Sequence, residues 1–265
     1  MKSKTESGTV YLVGAGPGDP ELLTVKAHRL LGQAEVVLHD DLVPAEILAL
    51  AGPQAEVVNV GKRCGTKGIT QAEINARMIE SARRGFDVVR LKSSDPGIFG
   101  RLAEEIDALE AAGVPFEVVP GITAGIGAAA ALGVSLTDRR TSSRVIVVTG
   151  HHARSSEQKK PDWKNLARED ATLVVYMPGL DFAGLRGELL AAGLGADTPA
   201  VIVSRATTPQ QLHQCTILGE IDKLPRMESP AILLIGRSLA RARRESNAQD
   251  ASLDLDRVEL ILSSL

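Results

Sequence analysis

The residues Gly14-Ala15-Gly16-Pro17-Gly18-Asp19-Pro20-Glu21-Leu22-Leu23-Thr24 follow the apolar run Val10-Tyr11-Leu12-Val13. This order predicts strand, glycine turn and helix, because glycine has no Cβ and lets a backbone pass close to a ligand. Asp19 suits an N-cap, and Pro20 suits the first helical position, where its missing N–H had no partner anyway. The turn then lies at the carboxyl end of a first strand, where open α/β sheets bind their ligands. A dinucleotide site is the obvious alternative. Gly14 and Gly16 fit GxGxxG, and Asp40 stands where a ribose-binding acid is sought. The third glycine position, however, holds Asp19, whose charge opposes a phosphate, and Pro17 removes an amide donor. A ligand without phosphate suits the loop better.

The elements that must carry this turn alternate in type. A helix is predicted over about 21–33, then a strand over 35–39 closed by Asp40-Asp41, a short helix opened by Pro44, and a strand over 56–60. The loop Gly61 to Gly68 has no acidic residue, and Thr70 with Glu73 has the spacing of a capping box. A strand over 87–91 runs into Lys92-Ser93-Ser94-Asp95-Pro96-Gly97-Ile98-Phe99-Gly100, a helix covers 104–112, and a strand over 116–119 leads to Pro120-Gly121 and an Ala/Gly-rich helix. Strands alternating with helices imply a parallel sheet covered on both faces.

The polar, turn-rich segment Leu136 to Arg144 is the expected boundary, dividing an N-terminal α/β domain (8–138) from a C-terminal α/β domain (144–240), with a tail (241–265) of no assigned role. In the second domain, strands are predicted over 145–149, 172–176, 200–204, 212–217 and 231–235, with helices near 182–191 and after Gly219. The stretch 200–217 is too short for a crossover helix, so part of this sheet is expected to be antiparallel.

Composition excludes several classes. Across 265 residues the hydrophobic share is 44%, enough for a sizeable core, but aromatic residues are 3%, so that core must be aliphatic and base-stacking platforms are scarce. A net charge of −3 offers no general attraction to nucleic acid. Cys64 and Cys215 stand far apart with no ligand spacing around them, which argues against a metal site or a disulfide framework and for a reducing cytoplasm. The short polar start and the glycine-broken apolar stretch Ile122 to Val134 indicate neither export nor membrane insertion.

The motifs VGAGPGDPELLT, VVLHDDLV, VGKR, RLKSSDPGIFGR, VVPGITAG, LTDR, VVTGHH and YMP occur in the order seen in uroporphyrinogen-III C-methyltransferases. From Gly8 to about Ala240 the chain resembles that group within the tetrapyrrole methyltransferase family. The resemblance implies two α/β domains with an S-adenosylmethionine cleft between them, usually in a homodimer. It also implies two methylations of uroporphyrinogen III to precorrin-2, feeding sirohaem and cobalamin synthesis, with S-adenosylhomocysteine as co-product. No added oxidation or chelation domain is evident, as expected of a monofunctional form.

Carried onto this sequence, the resemblance assigns Asp40 as proton acceptor and Lys62 as proton donor. It gives Pro17, Ser93, Ser94, Asp95, Ile98, Thr123, Ala124, Met177 and Ala206 as cofactor contacts. A substrate bearing several carboxylates needs cations, and Lys62, Arg63, Lys67, Arg90, Lys92, Arg101, Arg139, Arg140 and Arg144 are read as lying in loops or at element ends, where guanidinium forks suit carboxylates. Of these, Arg63, Lys92, Arg101 and Arg139 are expected to bind substrate. Plainer roles stay open: solvated surface charge for the cations, core packing for Met177, a helix cap for Thr123, a turn residue or arginine partner for Asp40.

Two departures stand out. The family commonly has Gly-Gly-Asp-Pro where this chain has Ser93-Ser94-Asp95-Pro96, so serine is expected to strain the loop if a glycine conformation is needed there. Asp138 stands where a histidine is common, which puts an acid near the expected substrate carboxylates. Rival functions are a methyltransferase for a later precorrin, a degenerate tetrapyrrole-binding member and a Rossmann-type oxidoreductase.

Overall fold

A computed structural model describes residues 7–61, 69–150 and 161–242. The chain forms two compact units that part between Gly127 and Ala128. The first is built on a five-stranded, all-parallel sheet in the order β3-β2-β4-β1-β5. Its strands are β1 (Val10–Gly14), β2 (Val36–His39), β3 (Glu56–Asn59), β4 (Val88–Lys92) and β5 (Phe116–Val119). β1 lies between β4 and β5, with Gly14 opposite Lys92 and Val13 opposite Val119.

Side chains alternate across a strand, so each β1 residue belongs to one face or the other. Val13 joins Leu31, Val37, Ile47 and Leu91 beneath α1 (Val25–Gln33) and α2 (Ala45–Leu48). Val10 and Leu12 join Leu38, Ile74, Met78 and Leu109 beneath α3 (Gln71–Arg83) and α4 (Leu102–Ala111). Two covered faces explain why β2 and β4 are buried along their whole length. Each fully buried Leu or Ile contributes roughly 1.5–3 kcal/mol.

The second unit holds a mixed sheet in the order β6-β7-β10-β8-β9. These strands are β6 (Arg144–Thr149), β7 (Ala171–Tyr176), β8 (Pro199–Ser204), β9 (Leu212–Ile217) and β10 (Ala231–Ile235). β6 and β7 are parallel, while β10 runs antiparallel to β7 and β8, and β9 antiparallel to β8. The short 200–217 stretch is therefore an antiparallel pair, as its length requires. Trp163, Leu173, Phe182, Leu189, Ile202 and Leu233 form the main cluster on one face, under α6 (Trp163–Leu166) and α7 (Phe182–Ala191). The Ala/Gly-rich helix α5 spans Ala124–Ala131.

Three local expectations are corrected. The single helix expected over 21–33 is two pieces, because two caps compete. The Asp19 carboxylate accepts from the Glu21 N–H to start a 3₁₀ turn at Pro20–Leu22, and Thr24 Oγ1 then accepts from the Ala27 N–H to start α1. The element after Gly219 is also 3₁₀, over Leu218–Lys223, and α6, one turn with no side-chain cap, went unforeseen. Arg90 lies neither in a loop nor at an element end, but in the middle of β4.

Candidate active site

Three loops converge at the carboxyl end of the first sheet, after β1, β4 and β5. Ser94 N–H donates to Gly16 O at 2.8 Å and Gly16 N–H donates back to Ser94 O at 3.1 Å, pinning the first loop to the third. Gly16 sits at φ 72°, where glycine is at ease. The Asp95 carboxylate then ties in the loop after β5, accepting from Gly97 N–H at 2.8 Å through Oδ1 and from Gly121 N–H at 3.0 Å through Oδ2. The backbones meet so closely that a Cβ on Gly121 would lie 2.5 Å from Ser94 O and 2.9 Å from Gly14 Cα.

Ser94 stands at φ 66°, the glycine-type conformation whose cost the sequence raises, whereas Ser93 has no positive φ. The Ser94 side chain offsets that cost. Its Oγ accepts from Ala124 N–H at 2.7 Å, satisfying an otherwise unpaired donor at the start of α5, and lies 3.3 Å from Thr123 Oγ1. Phe99 (φ 54°) and Arg101 (φ 58°) continue the departure from ordinary backbone along the same loop. Pro17, Ser93, Ser94, Asp95, Ile98, Thr123 and Ala124 are thus brought together, all partly buried. Ser94 and Asp95 spend these hydrogen bonds on building the loops, and the seven residues include one acid and no cation. Such a set suits a sulfonium nucleoside with an amino-acid end better than a pyrophosphate.

A charged cluster lies inside the same unit, below this knot. Period two places Val88, Arg90 and Lys92 of β4 on the face covered by α4. Arg90, with a 3% exposed side chain, donates through Nε to Glu105 Oε1 at 3.0 Å and through Nη2 to Asp40 Oδ1 at 2.5 Å. Its Nη1 reaches the carbonyls of Leu38 and Leu91, each at 3.3 Å. Lys92 Nζ stands 2.8 Å from Glu105 Oε2, and Gln71 Nε2 donates to Glu105 Oε1 at 3.3 Å. Burial, then the neighbouring Arg90 charge, pushes the Lys92 ammonium below its ordinary pKa, against the opposing pull of Glu105 and Asp40. Asp40 is the member nearest solvent, its side chain 27% exposed against 0% for Glu105.

The β2 and β3 ends are fastened beside Asp40. Asn59 Nδ2 donates to Asp41 Oδ1 at 3.1 Å, Gly61 N–H donates to Asn59 Oδ1 at 2.8 Å, and a Cβ on Gly61 would lie 2.2 Å from Asp41 N. Lys62, Arg63 and Lys67 lie outside the described residues. Of the other expected cations, Arg101 is exposed and forks onto Glu104 at 2.7 and 2.5 Å, an interaction that raises its pKa further. Lys92 is buried against Glu105, not presented at a loop surface. Arg139 is exposed beside Arg140, which forks onto Asp138 at 2.9 and 2.6 Å and holds that carboxyl at a pKa of about 2.

In the second unit, Met177 follows β7 at φ 47° and is 46% exposed, so it is not a core filler. Ala206 follows β8, buried, between Arg205 (φ 49°) and Thr207 (φ 67°). Every non-glycine residue of positive φ among the described residues therefore falls in, or next to, a loop that the sequence nominates. Such backbone costs about 1–3 kcal/mol per residue and gathers at ligand sites. The residues that sequence reasoning missed are Glu105 and the pairing role of Arg90; the available signal was a charged Arg-Leu-Lys inside an otherwise apolar strand, with a Glu-Glu pair opening the next helix.

A family model, Tetrapyrrole (Corrin/Porphyrin) Methylases, matches residues 9–222. The chain belongs to this family. Among curated tetrapyrrole methylase relatives, it is 44% identical over 233 residues to a uroporphyrinogen-III C-methyltransferase of Synechocystis, covering 86% of this chain and 88% of that one. It is 41% identical over 264 residues to Siroheme synthase 2 of Aeromonas hydrophila, covering 98% of this chain and 56% of the relative. The chain thus spans about half the length of the siroheme synthases it matches. A crystal structure of uroporphyrin-III C-methyl transferase from Thermus thermophilus, complexed with S-adenyl homocysteine, superposes with a TM-score of 0.76 at 40% identity, covering 88% of this chain and 94% of that one. A cobalt precorrin-4 methyltransferase superposes with a TM-score of 0.78 at 34% identity, covering 87% and 95%.

Proposed function

We propose that this tetrapyrrole methylase methylates uroporphyrinogen III at two pyrrole carbons, giving precorrin-2 for sirohaem or cobalamin synthesis. The observation that carries the reading is the placement of Asp40. It is the partly exposed end of a buried charged cluster, in a sheet whose carboxyl-end loops are built as a phosphate-free binding surface. The names of the relatives agree with this. S-adenosylmethionine, when bound, supplies an electrophilic methyl group. Pro17, Ser93, Ser94, Asp95, Ile98, Thr123 and Ala124 hold it through backbone and apolar contacts, and Met177 and Ala206 belong to the same proposed set.

Two tasks fall to the chain's own side chains. Alignment of the reacting carbon contributes most, since positioning supplies about 7 kcal/mol or more in good cases, whereas acid–base help gives about 10² to 10⁴ in rate. Asp40 then accepts the proton that the methylated ring must lose, and Lys62 donates one where the ring requires it. Arg63, Arg101 and Arg139 meet substrate carboxylates, while Lys92 is buried against Glu105. The chain works as a cytoplasmic homodimer.

Calorimetry and label transfer test this together. S-adenosylhomocysteine binds and NAD does not; Asp40→Asn keeps that binding and slows transfer of labelled methyl to uroporphyrinogen III by about 10² or more. Transfer to a later precorrin alone would favour the second reading, which the cobalt precorrin-4 methyltransferase likeness supports.

A further inference from the structure

Glu105 has no role in the chemistry proposed so far, yet it is fully buried and faces two cations. Its Oε1 receives Arg90 Nε at 3.0 Å and Gln71 Nε2 at 3.3 Å, and its Oε2 lies 2.8 Å from Lys92 Nζ. Arg90 is in turn fixed at all three nitrogens: Nε on Glu105, Nη1 on two strand carbonyls, Nη2 on Asp40. A guanidinium is a rigid planar fork, so fixing Nε sets where Nη2 points. The four charges, Arg90, Lys92, Asp40 and Glu105, sum to zero. Removal of Glu105 leaves two like charges two residues apart in a buried strand, held by one carboxylate at the edge.

We propose that Glu105 is a positioning residue for the reaction: by clamping Arg90 from within the sheet, it orients the Asp40 carboxylate toward the substrate. The inference rests on Asp40 being the proton acceptor. It assigns to the first residues of α4 a job beyond packing, since the helix carries into the interior the acid on which the geometry at the end of β2 depends.

The test is a double-mutant cycle read in turnover. Glu105→Gln keeps the shape of the side chain and removes its charge. Lys92→Met with Glu105→Leu removes both buried charges at similar volume, leaves the Arg90–Asp40 pair balanced, and guards against a Glu105→Gln variant that does not fold. Each is made with Asp40 intact and with Asp40→Asn, and S-adenosylhomocysteine affinity and kcat are measured with KM. With Asp40 intact, both variants bind S-adenosylhomocysteine within about threefold of the parent and lose about tenfold to a hundredfold in kcat, as misplaced reacting groups do. In the Asp40→Asn background the same changes cost less than about twofold, because the residue through which Glu105 acts is already gone.

Equal losses in both backgrounds, or no loss with Asp40 intact, overturn the inference. Parental turnover by Asp40→Asn alone instead overturns the reading of Asp40 itself, and is seen before any Glu105 variant is compared.

Discussion

Ser94 shows how one residue can carry a cost and its remedy. The left-handed backbone at φ 66° costs a non-glycine residue about 1 kcal/mol or more, and the Oγ bond to Ala124 N–H returns about the same as a helix cap. Ser94→Gly removes both terms and is expected to leave the urea midpoint nearly unchanged. Ser94→Ala keeps the strained backbone without the cap and is expected to lose about 1–2 kcal/mol; a neutral Ser94→Ala would show that the cap contributes nothing. The sequence exposed the strain but not its remedy, because Ala124 lies thirty residues away and the meeting of the two loops is a tertiary fact. Asp138 is similar. The acid expected near the substrate carboxylates is matched by Arg140, which holds its pKa at about 2. A depressed carboxyl stabilises the fold in full above its unfolded value near about 3.9, and that contribution disappears as pH falls toward about 2. Carboxyl NMR titration should place the Asp138 midpoint there, and Arg140→Ala should raise it toward about 4; an unmoved midpoint would remove the pair from the account.

At the scale of elements, the candidate site is made by loops pinned to one another by hydrogen bonds. Gly121→Ala would put a methyl group 2.5 Å from Ser94 O and 2.9 Å from Gly14 Cα, both backbone. The loops after β1, β4 and β5 must then separate, and S-adenosylhomocysteine affinity is expected to fall at least tenfold in calorimetry, with a loss of roughly 1–3 kcal/mol in stability. Unchanged affinity would mean that the cofactor surface lies elsewhere. Most elements were legible, since β1 to β5 follow apolar runs and the Thr70–Glu73 capping box is present as read. The break at Leu23 was hidden because Asp19 and Thr24 are both good caps, and pattern alone does not say that a helix starts twice. Arg90 was misplaced for the converse reason: a charged residue in a strand reads as a strand end unless its buried partner, Glu105 on α4, is known.

For the whole molecule, each unit has hydrophobic clusters of its own, and the sole tryptophan, Trp163, sits in the second unit's cluster. Leu189→Ala empties a fully buried site there and should cost about 2–5 kcal/mol, lowering the midpoint read by tryptophan fluorescence. Leu31→Ala in the first unit should cost a similar amount in far-UV circular dichroism and leave the fluorescence midpoint in place; identical shifts in both probes would mean one cooperative block. The central claim remains chemical, and product mass decides it. Purified protein is incubated anaerobically with uroporphyrinogen III and methyl-labelled S-adenosylmethionine, and the tetrapyrrole is analysed by mass spectrometry. The account predicts two added methyl groups. Bound S-adenosylhomocysteine with an unaltered tetrapyrrole would contradict it.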